Sequence, residues 1–458
     1  MSINESRIEK INEVDLKPGK FTAYWMQSAQ RFEYNHAFNY AVSRANQLNQ
    51  PLLIFFLIDK NYPEAEYGHF EFMLSGLKEL EKEADKRNLN FYIFEYSSPE
   101  ILTEIVENAS LLISEKIYLK NLRKWKEKAA EQLDIPLYLV ETNLICPVEE
   151  VSEKEEYAAY TIRKKIDRIK EEYLLEPEQP ELKNKAGFNL EKEIGEKNQV
   201  EIIKDLDQYL EDMPFEDKNS YKKYFPGGYS AAQEKLNDFI ENKLADYDEK
   251  RNIPHLDYQS DLSPYLHFGQ ISALEAALAA INSPHDAEGF LEELIVRREL
   301  SFNFVYYNQN YAESLKEVLP EWAYTSLMEH SDDQREYTYS YQELADSETH
   351  DPYWNAAQRE LKITGKMHNY MRMYWGKKIL EWIENPEEAY QTALRLNNKF
   401  SLDGRDANSF AGVSWCFGKH DRAWKERKVF GKIRYMNDNG LERKFDMEKY
   451  LEKVNNLR

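Results

Sequence analysis

Over the first 145 residues the apolar positions switch repeatedly between two periods. FTAYWMQ at 21–27 reads as a strand, and a helical pattern follows over about 32–48. PLLIFFLID at 51–59 is an unbroken apolar run of strand length, the kind that a parallel sheet buries on both faces. A helical pattern covers about 68–88, with Asn88 and Asn90 near its end, and NFYIFEY at 90–96 is a third strand. The next helix is expected over about 98–109, with Ser98 as its cap and Pro99 in its first turn. LLISE at 111–115 and PLYLVE at 136–141 complete a strand–helix alternation. Residues 1–145 are therefore expected to form an α/β domain with a doubly wound, Rossmann-like parallel sheet.

Past residue 146 the pattern changes. Residues 146–217 hold 21 Asp and Glu against 11 Lys and Arg, with prolines at 147, 177, 180 and 214. They read as an acidic, solvated linker with helical pieces, one of them near 155–173. From 218 to 458 the strand signals fade, and helical patterns run through 229–245, 271–281, 287–309, 352–363, 366–384 and 386–398. Asp351-Pro352 is an N-cap followed by proline at the first helical position, Thr364-Gly365 ends that helix, and Asn385-Pro386 divides the next two. An all-α domain over 218–458 follows.

Composition narrows the chemistry. Of 458 residues, 42% are hydrophobic and 31% charged, the balance of a folded globular protein. The longest apolar run, LLIFFLI, is far shorter than the roughly 20 residues that span a bilayer. The N-terminus MSINESRIEK lacks the apolar stretch of a signal peptide. Two distant cysteines, Cys146 and Cys416, offer neither a disulfide framework nor a CxxC zinc site. No membrane association and a reducing, cytoplasmic location are expected. GxxxxGK[ST], a GxGxxG after a strand, HExxH and GxSxG are all absent, so the α/β domain binds its ligand some other way or binds none. A net charge of −22 argues against nucleic acid at face value. Yet residues 416–445 carry nine Lys and Arg against four Asp and Glu, and net charge is a sum over unlike faces. Six of the eight tryptophans (Trp322, Trp354, Trp375, Trp382, Trp415, Trp424) lie near the C-terminus, where core packing is the ordinary explanation.

The informative segments are YWMQSAQR (24–31), YDEKRNIP (247–254) with QSDLSPYLHFGQIS (259–272), and FLEELIVRRELSFNF (290–304). To these are added ETHDPYWNAAQRELKITGKMHNYMRMYWGKKILEW (348–382) and LNNKFSLDGRDANSFAGVSWCFGKHDRAWKERKVFGKIRYMN (396–437). Together they resemble the class II cyclobutane pyrimidine dimer photolyases of the photolyase/cryptochrome superfamily, over nearly the whole chain and most densely over 247–437. The resemblance implies FAD bound in the helical domain and active in its reduced anionic form, FADH−. It implies light-driven electron transfer into a pyrimidine dimer flipped out of UV-damaged DNA, a reaction of the carbon–carbon lyase class. It also implies an antenna chromophore in the N-terminal domain, with 8-hydroxy-5-deazaflavin expected, and a monomer with no obligate protein partner.

The same resemblance assigns residues. Ser260, Asp261, Leu262 and Ser263 match the flavin-binding turn, where hydroxyls and backbone N–H groups can meet a pyrophosphate. Tyr247 matches a flavin-contacting tyrosine, and Arg251, one helical turn on, a DNA-phosphate arginine. Arg372 and Asp403 match the ion pair beside the flavin ring, where a fixed positive charge would favour a reduced anion. On local sequence alone, Arg372 reads equally as a helix-surface arginine and Asp403-Gly404 as a turn. Asn397 matches an asparagine near flavin N5, able to donate or accept. Arg405 and Asp406 of the LDGRD segment extend the cofactor contacts.

Trp375, Trp354 and Trp382 match an electron relay with Trp382 at its outer end near the surface. Their spacing shows only that Trp375 and Trp382 share a helix face about 10 Å apart along the axis. Glu293 matches the carboxyl that hydrogen-bonds the dimer, its plain alternative being a salt bridge to Arg297. Met373 and Trp415 match walls of the dimer pocket, and Arg422, Trp424, Lys425 and Arg427 are the DNA contacts expected from the basic stretch. Other photolyase classes often carry Trp three residues after the carboxyl. Here that position is Val296, so the wall is expected from Trp415 and Trp424. Two rivals stand beside this reading, a cryptochrome-like photosensor and a colourless helical DNA-binding protein.

Overall fold

A computed structural model of the chain describes residues 3–185 and 202–457. The apolar runs form strands: β1 (Ile8–Lys10), β2 (Phe21–Met26), β3 (Leu52–Ile58), β4 (Asn90–Glu95), β5 (Ala109–Glu115) and β6 (Leu137–Val140). They make one sheet in the order β1-β6-β5-β2-β3-β4. All residues of β2, β3 and β5 are buried, as expected of strands covered on both faces. The cover is α1 (His36–Leu48) and α2 (Tyr67–Arg87) on one face, and α3 (Ile101–Val106) and α4 (Lys120–Gln132) on the other. Asn49 and Asn88 end α1 and α2 in the left-handed conformation.

Two details of the sheet domain depart from expectation. The sheet is not wholly parallel, because β1 adds an antiparallel edge by pairing Ile8 with Val140 and Lys10 with Tyr138. Its three residues carry no apolar run long enough to show in the sequence. The helix expected over 98–109 spans only Ile101–Val106, and Ser98 is not its cap. Ala109 opens β5 opposite Phe21, so sheet pairing claims the end of the helical pattern.

Residues 146–217 are more than a solvated connector. α5 (Ala159–Tyr173) buries Ile162, Ile166 and Tyr173 in the helical domain. Leu182, Ile203, Leu206, Leu210 and Met213 pack against the α1/α2 face of the sheet. Residues 186–201 of this segment lie outside the described residues; among the described ones, these apolar side chains face a core on either side.

The helical domain is built from α6 (Tyr229–Asn242), α7 (Ala273–Ile281), α8 (Arg298–Tyr307), α9 (Pro352–Thr364), α10 (Asn369–Trp382), α11 (Pro386–Phe400), α12 (Ala407–Cys416) and α13 (Met447–Asn455), with shorter turns between them. The pattern over 287–309 is one helix in sequence but not in space. A π-helical stretch, Glu292–Arg297, interrupts it, and the Arg298 N–H reaches back to Glu293 O. Such a widened turn resets the faces of a helix and commonly does so at functional sites. Asp351 caps α9 by accepting from the Tyr353 and Trp354 N–H groups, each at 3.0 Å. Gly365, at φ +74, ends α9 and turns the chain back into α10. Among the described residues no helix is long and apolar enough to cross a membrane, and no three or more His, Cys, Asp or Glu are grouped to hold a metal ion.

The two domains meet through backbone groups. Arg31, fully buried, donates to Gly269 O at 2.8 Å. Gln270 accepts from Gly228 N at 2.7 Å and donates to Phe72 O at 3.2 Å. From the helical side Glu299 accepts the Ile145 and Cys146 N–H groups at 2.9 and 3.1 Å, and Arg298 donates to Asn143 O at 2.8 Å. Gly269 sits at φ +68, and a Cβ there would lie 2.7 Å from Ala29 Cα and collide with Ser28 O. The left-handed backbone alone costs an alanine about 1–2 kcal/mol. Gly269→Ala is therefore expected to lower the unfolding free energy by at least that much, read from urea unfolding, and to loosen the seam, measured as faster amide exchange at Ser28–Gln30 than in the unmodified protein.

Candidate active site

One helix, α10, carries Arg372, Met373, Trp375, Lys377 and Trp382. His368 fixes its start by accepting from Tyr370 N at 3.2 Å. Burial holds the His368 imidazole far below its usual range, to about 3, so this cap is neutral. From the first turn Arg372 reaches Asp403 Oδ1 at 3.2 Å and Ser401 Oγ at 3.2 Å. Burial alone would raise the Asp403 carboxyl. The Arg372 charge and the Ser401 and Ser263 hydroxyls override it and hold it well below its usual value. The sequence left this pair open to a plain surface reading; the structure makes it an interior ion pair.

Two further carboxylates of the helical domain have partners on other segments. Asp261, at φ +57, is engaged by Lys366, with Lys235 at 3.9 Å. Asp406 caps α12 through Asn408 N at 2.9 Å and meets His267 Nδ1 at 3.2 Å. Asp261, Asp403 and Asp406 nonetheless keep 13%, 14% and 14% of their side chains accessible. A Cβ added at Gly412 on α12 would meet nothing within 4 Å. Carboxylates and cations thus stay partly accessible within the helical domain. That donor set suits a flavin dinucleotide: Arg372 and Lys366 offer positive charge to an anion, and the carboxylates accept from hydroxyl and N–H donors. Asn397 is buried, and its amide donates to Ser409 Oγ. Tyr247 packs edge-on against Phe239 and Phe290 at 5.4 and 5.9 Å.

Two expected cofactor contacts are otherwise engaged. Leu262 is 1% exposed and has its side chain in the core, leaving only its backbone beside Ser263 and the short helix Ser263–His267. The buried Arg405 guanidinium turns to Asn398 O and to Glu64 O at 3.4 Å. Its Nη1 thus ties Arg405 to the domain seam.

The three relay tryptophans form one cluster. Trp354 lies parallel to Trp375 with centroids 6.3 Å apart and edge-on to Trp382 at 5.4 Å. Trp354 Nε1 donates to Trp375 O at 3.0 Å, and Trp375 Nε1 to Gln358 Oε1 at 2.8 Å. The expectation that Trp382 lies near the surface is not met: it is 2% exposed. Tyr339 and His350 cover it at 5.1 and 5.6 Å, and the exposed ring beyond them is Tyr337, stacked on His350.

On the outer side, Glu293 does not pair with Arg297. Arg297 takes Glu292 at 3.1 Å, and Glu293 Oε1 receives Arg251 Nη1 at 2.7 Å. The π-helical stretch thus brings two separately expected site residues together. Val296 in the same stretch is buried. Residues 422–428, with Arg422, Trp424, Lys425 and Arg427, are all exposed on a hairpin closed by Trp424 N to Lys432 O at 2.9 Å and held by buried Val429 and Phe430. Arg434 lies 5.5 Å from the Trp415 ring and 5.2 Å from that of Trp424, joining the two. Beneath Trp415, buried Lys377 donates to Cys416 O at 2.6 Å and lies 4.9 Å from the ring, with burial lowering its pKa to about 8. Met373 O meets Cys416 Sγ at 3.9 Å. Lys377 and Arg434 were not singled out from sequence. Lys377 follows Met373 by one helical turn, a usable signal, whereas the position of Arg434 depends on the hairpin.

Residues 22–183 match the sequence pattern of the family described as DNA photolyase. A deoxyribodipyrimidine photo-lyase of Methanothermobacter thermautotrophicus is 44% identical over 99% of both chains. Enzymes of the same name from Arabidopsis thaliana and Potorous tridactylus are 38% and 36% identical, covering 95% and 94% of this chain and 88% and 80% of their own. In fold, the chain is similar to a class III photolyase from Agrobacterium tumefaciens, with a TM-score of 0.73, 18% identity and 96% and 87% of the two chains covered.

The ion pair has a testable pH signature. Because the folded Asp403 carboxyl titrates below its usual value of 3.8, its stabilisation is complete above that pH and is lost as pH falls through the folded value. Asp403→Asn removes this dependence and leaves Arg372 without its charged partner, which costs about 1.5–3 kcal/mol at neutral pH. Urea unfolding at pH 7 and pH 3 is expected to show a gap between the two proteins that narrows at the lower pH.

Proposed function

The chain belongs to the DNA photolyase family, and from that membership we propose that it repairs cyclobutane pyrimidine dimers in DNA, as a class II enzyme, by light-driven electron transfer. FAD is the cofactor that the family implies. The observation that carries the reading is the arrangement along α10: Arg372 faces the interior ion pair, Trp375 enters the indole cluster, and Met373 lies beside the α12 segment that ends in Trp415. One rigid helix thereby adjoins charge, conduction and lesion pocket.

Arg372, Lys366, Asp403, Asp261 and the turn at Ser260 and Ser263 would hold the cofactor. When bound in its reduced anionic form, FAD supplies under blue or near-UV light the electron that splits the dimer. The protein's own part is positional. Arg372 keeps a positive charge in the interior, where it favours a neighbouring anion. The indoles of Trp375, Trp354 and Trp382, within 6.3 and 5.4 Å of one another, carry an oxidising equivalent outward, with an external thiol replacing the electron. Glu293 accepts hydrogen bonds from the dimer's bases while Arg251 anchors a phosphate; the pair that they form with each other keeps both ordered before DNA arrives. Trp415 and Trp424 wall the pocket that Val296 leaves unlined. A dimer must leave the helix to reach such a site, and its weakened pairing lowers that penalty of a few kcal/mol. A second, antenna chromophore in the α/β domain, with 8-hydroxy-5-deazaflavin the candidate, would appear in the absorbance and mass spectra of the purified protein.

The decisive experiment mixes the reduced protein with dimer-containing DNA, illuminates it and follows recovery of thymine absorbance. Light-dependent recovery is expected; a flavin spectrum without recovery would overturn the repair reading. Trp354→Phe is expected to slow photoreduction of oxidised FAD strongly and leave repair by pre-reduced enzyme nearly unchanged. Glu293→Ala is expected to lower the preference for dimer over undamaged DNA roughly tenfold to a hundredfold, the equivalent of about 1.5–3 kcal/mol.

A further inference from the structure

We propose that α5, in the segment joining the domains, is a second DNA-contacting element that meets the sugar-phosphate backbone of the duplex beside the lesion through Tyr160, Lys164 and Arg168. The inference rests on the repair reading above and extends its footprint. α5 buries Ile162, Ile166 and Tyr173. Tyr160, Lys164 and Arg168, spaced i, i+4, i+8, lie on the opposite side and are all exposed, Tyr160 to 58%. This stripe runs about 12 Å along the helix.

Its charge is the reverse of its surroundings. Between 157 and 168 there are four cations and one carboxylate, inside a linker that is acidic as a whole. Arg163 is taken by Glu292 at 2.6 and 2.9 Å, and Lys165 by Glu156 at 2.6 Å. Lys164 and Arg168 make no ion pair among the described residues. Asp167 is paired with Lys170 at 2.7 Å, and the exposed Glu171 and Glu172 close the stripe at its far end.

Position decides the partner. Just ahead of α5, Tyr157, 48% exposed, donates to Asp421 O at 3.4 Å and receives Trp322 Nε1 at 3.3 Å, while His420 Nδ1 donates to Tyr157 O at 2.8 Å. Those residues are the root of the basic hairpin that bears Arg422 and Trp424. One turn into α5, Arg163 grips Glu292, the neighbour of the Glu293–Arg251 pair. The helix is therefore pinned at both points to the face assigned to DNA, and its free cations and tyrosine hydroxyl are the groups that position phosphates.

The test uses the full-length, FAD-loaded protein. Fluorescence anisotropy gives affinity for a dimer-containing duplex over a range of salt concentrations, for the unmodified protein and for K164A/R168A. Each phosphate contact contributes about 0.9 to the slope of log K against log salt. The double variant is expected to have a slope shallower by about 2, with unchanged repair yield at saturating DNA and unchanged affinity for a short single strand holding only the dimer and one nucleotide on each side. Tyr160→Ala is expected to weaken duplex binding with little change in slope. An unchanged slope in K164A/R168A would overturn the proposal, as would equal weakening on the short strand, which would place the effect at the lesion pocket. An unmodified protein that binds duplex but repairs nothing in light would instead overturn the repair reading.

Discussion

Charge held away from water must be paired, and in this protein that requirement shapes the interior of the helical domain. Arg372 and Asp403 satisfy each other across the space between α10 and the loop after α11, with Ser401 and Ser263 completing the carboxylate's hydrogen bonds. Asp261 and Lys366 do the same, and Asp406 meets His267 Nδ1 at 3.2 Å. Because every pair joins two segments, these groups also fix the segments that carry them. α10 then has one available orientation, and that orientation puts Trp375 in parallel contact with Trp354 and leaves Met373 beside the end of α12.

The domain seam is built on another principle, close backbone approach. Gly269 and Gln270 belong to the same SPYLHFGQIS segment that begins at Ser263. Within a few residues the chain passes from Ser263, which supports Asp403, to Gly269, which only a residue without Cβ allows to lie against Ser28 and Ala29. Arg405 works in the opposite sense, starting beside the ion pair and ending on Glu64 of the sheet domain. The interior ion pair and the seam therefore draw on the same two segments, 263–272 and 401–406.

The distribution of charge reconciles a net −22 with a polyanionic partner. The acidic excess is concentrated in residues 146–217, while exposed cations gather on 422–428 and on one side of α5. Even within the acidic linker the sign alternates from turn to turn, which a count over 72 residues conceals. Long-range repulsion is screened over about 8–10 Å at physiological salt, so a local basic face governs contact.

The sequence by itself determined the division into a parallel-sheet domain and a helical domain, because period and turn residues are local properties. LLIFFLI, Asp351-Pro352 and Thr364-Gly365 each became the element that their pattern indicates. Most of the candidate site residues came from the resemblance to a known family, since on local sequence Arg372 and Asp403 read equally as a surface arginine and a turn. What tertiary structure alone decided are the pairings. Glu293 takes Arg251 and not Arg297, since a π-helical stretch rotates it away from its own helix neighbour. Trp382 lies under Tyr339 and His350 and not at the surface, Arg405 serves the seam, and α5 turns a basic stripe outward from an acidic segment. Each of these depends on which distant residue arrives within a few ångströms, and spacing along the chain holds no record of that.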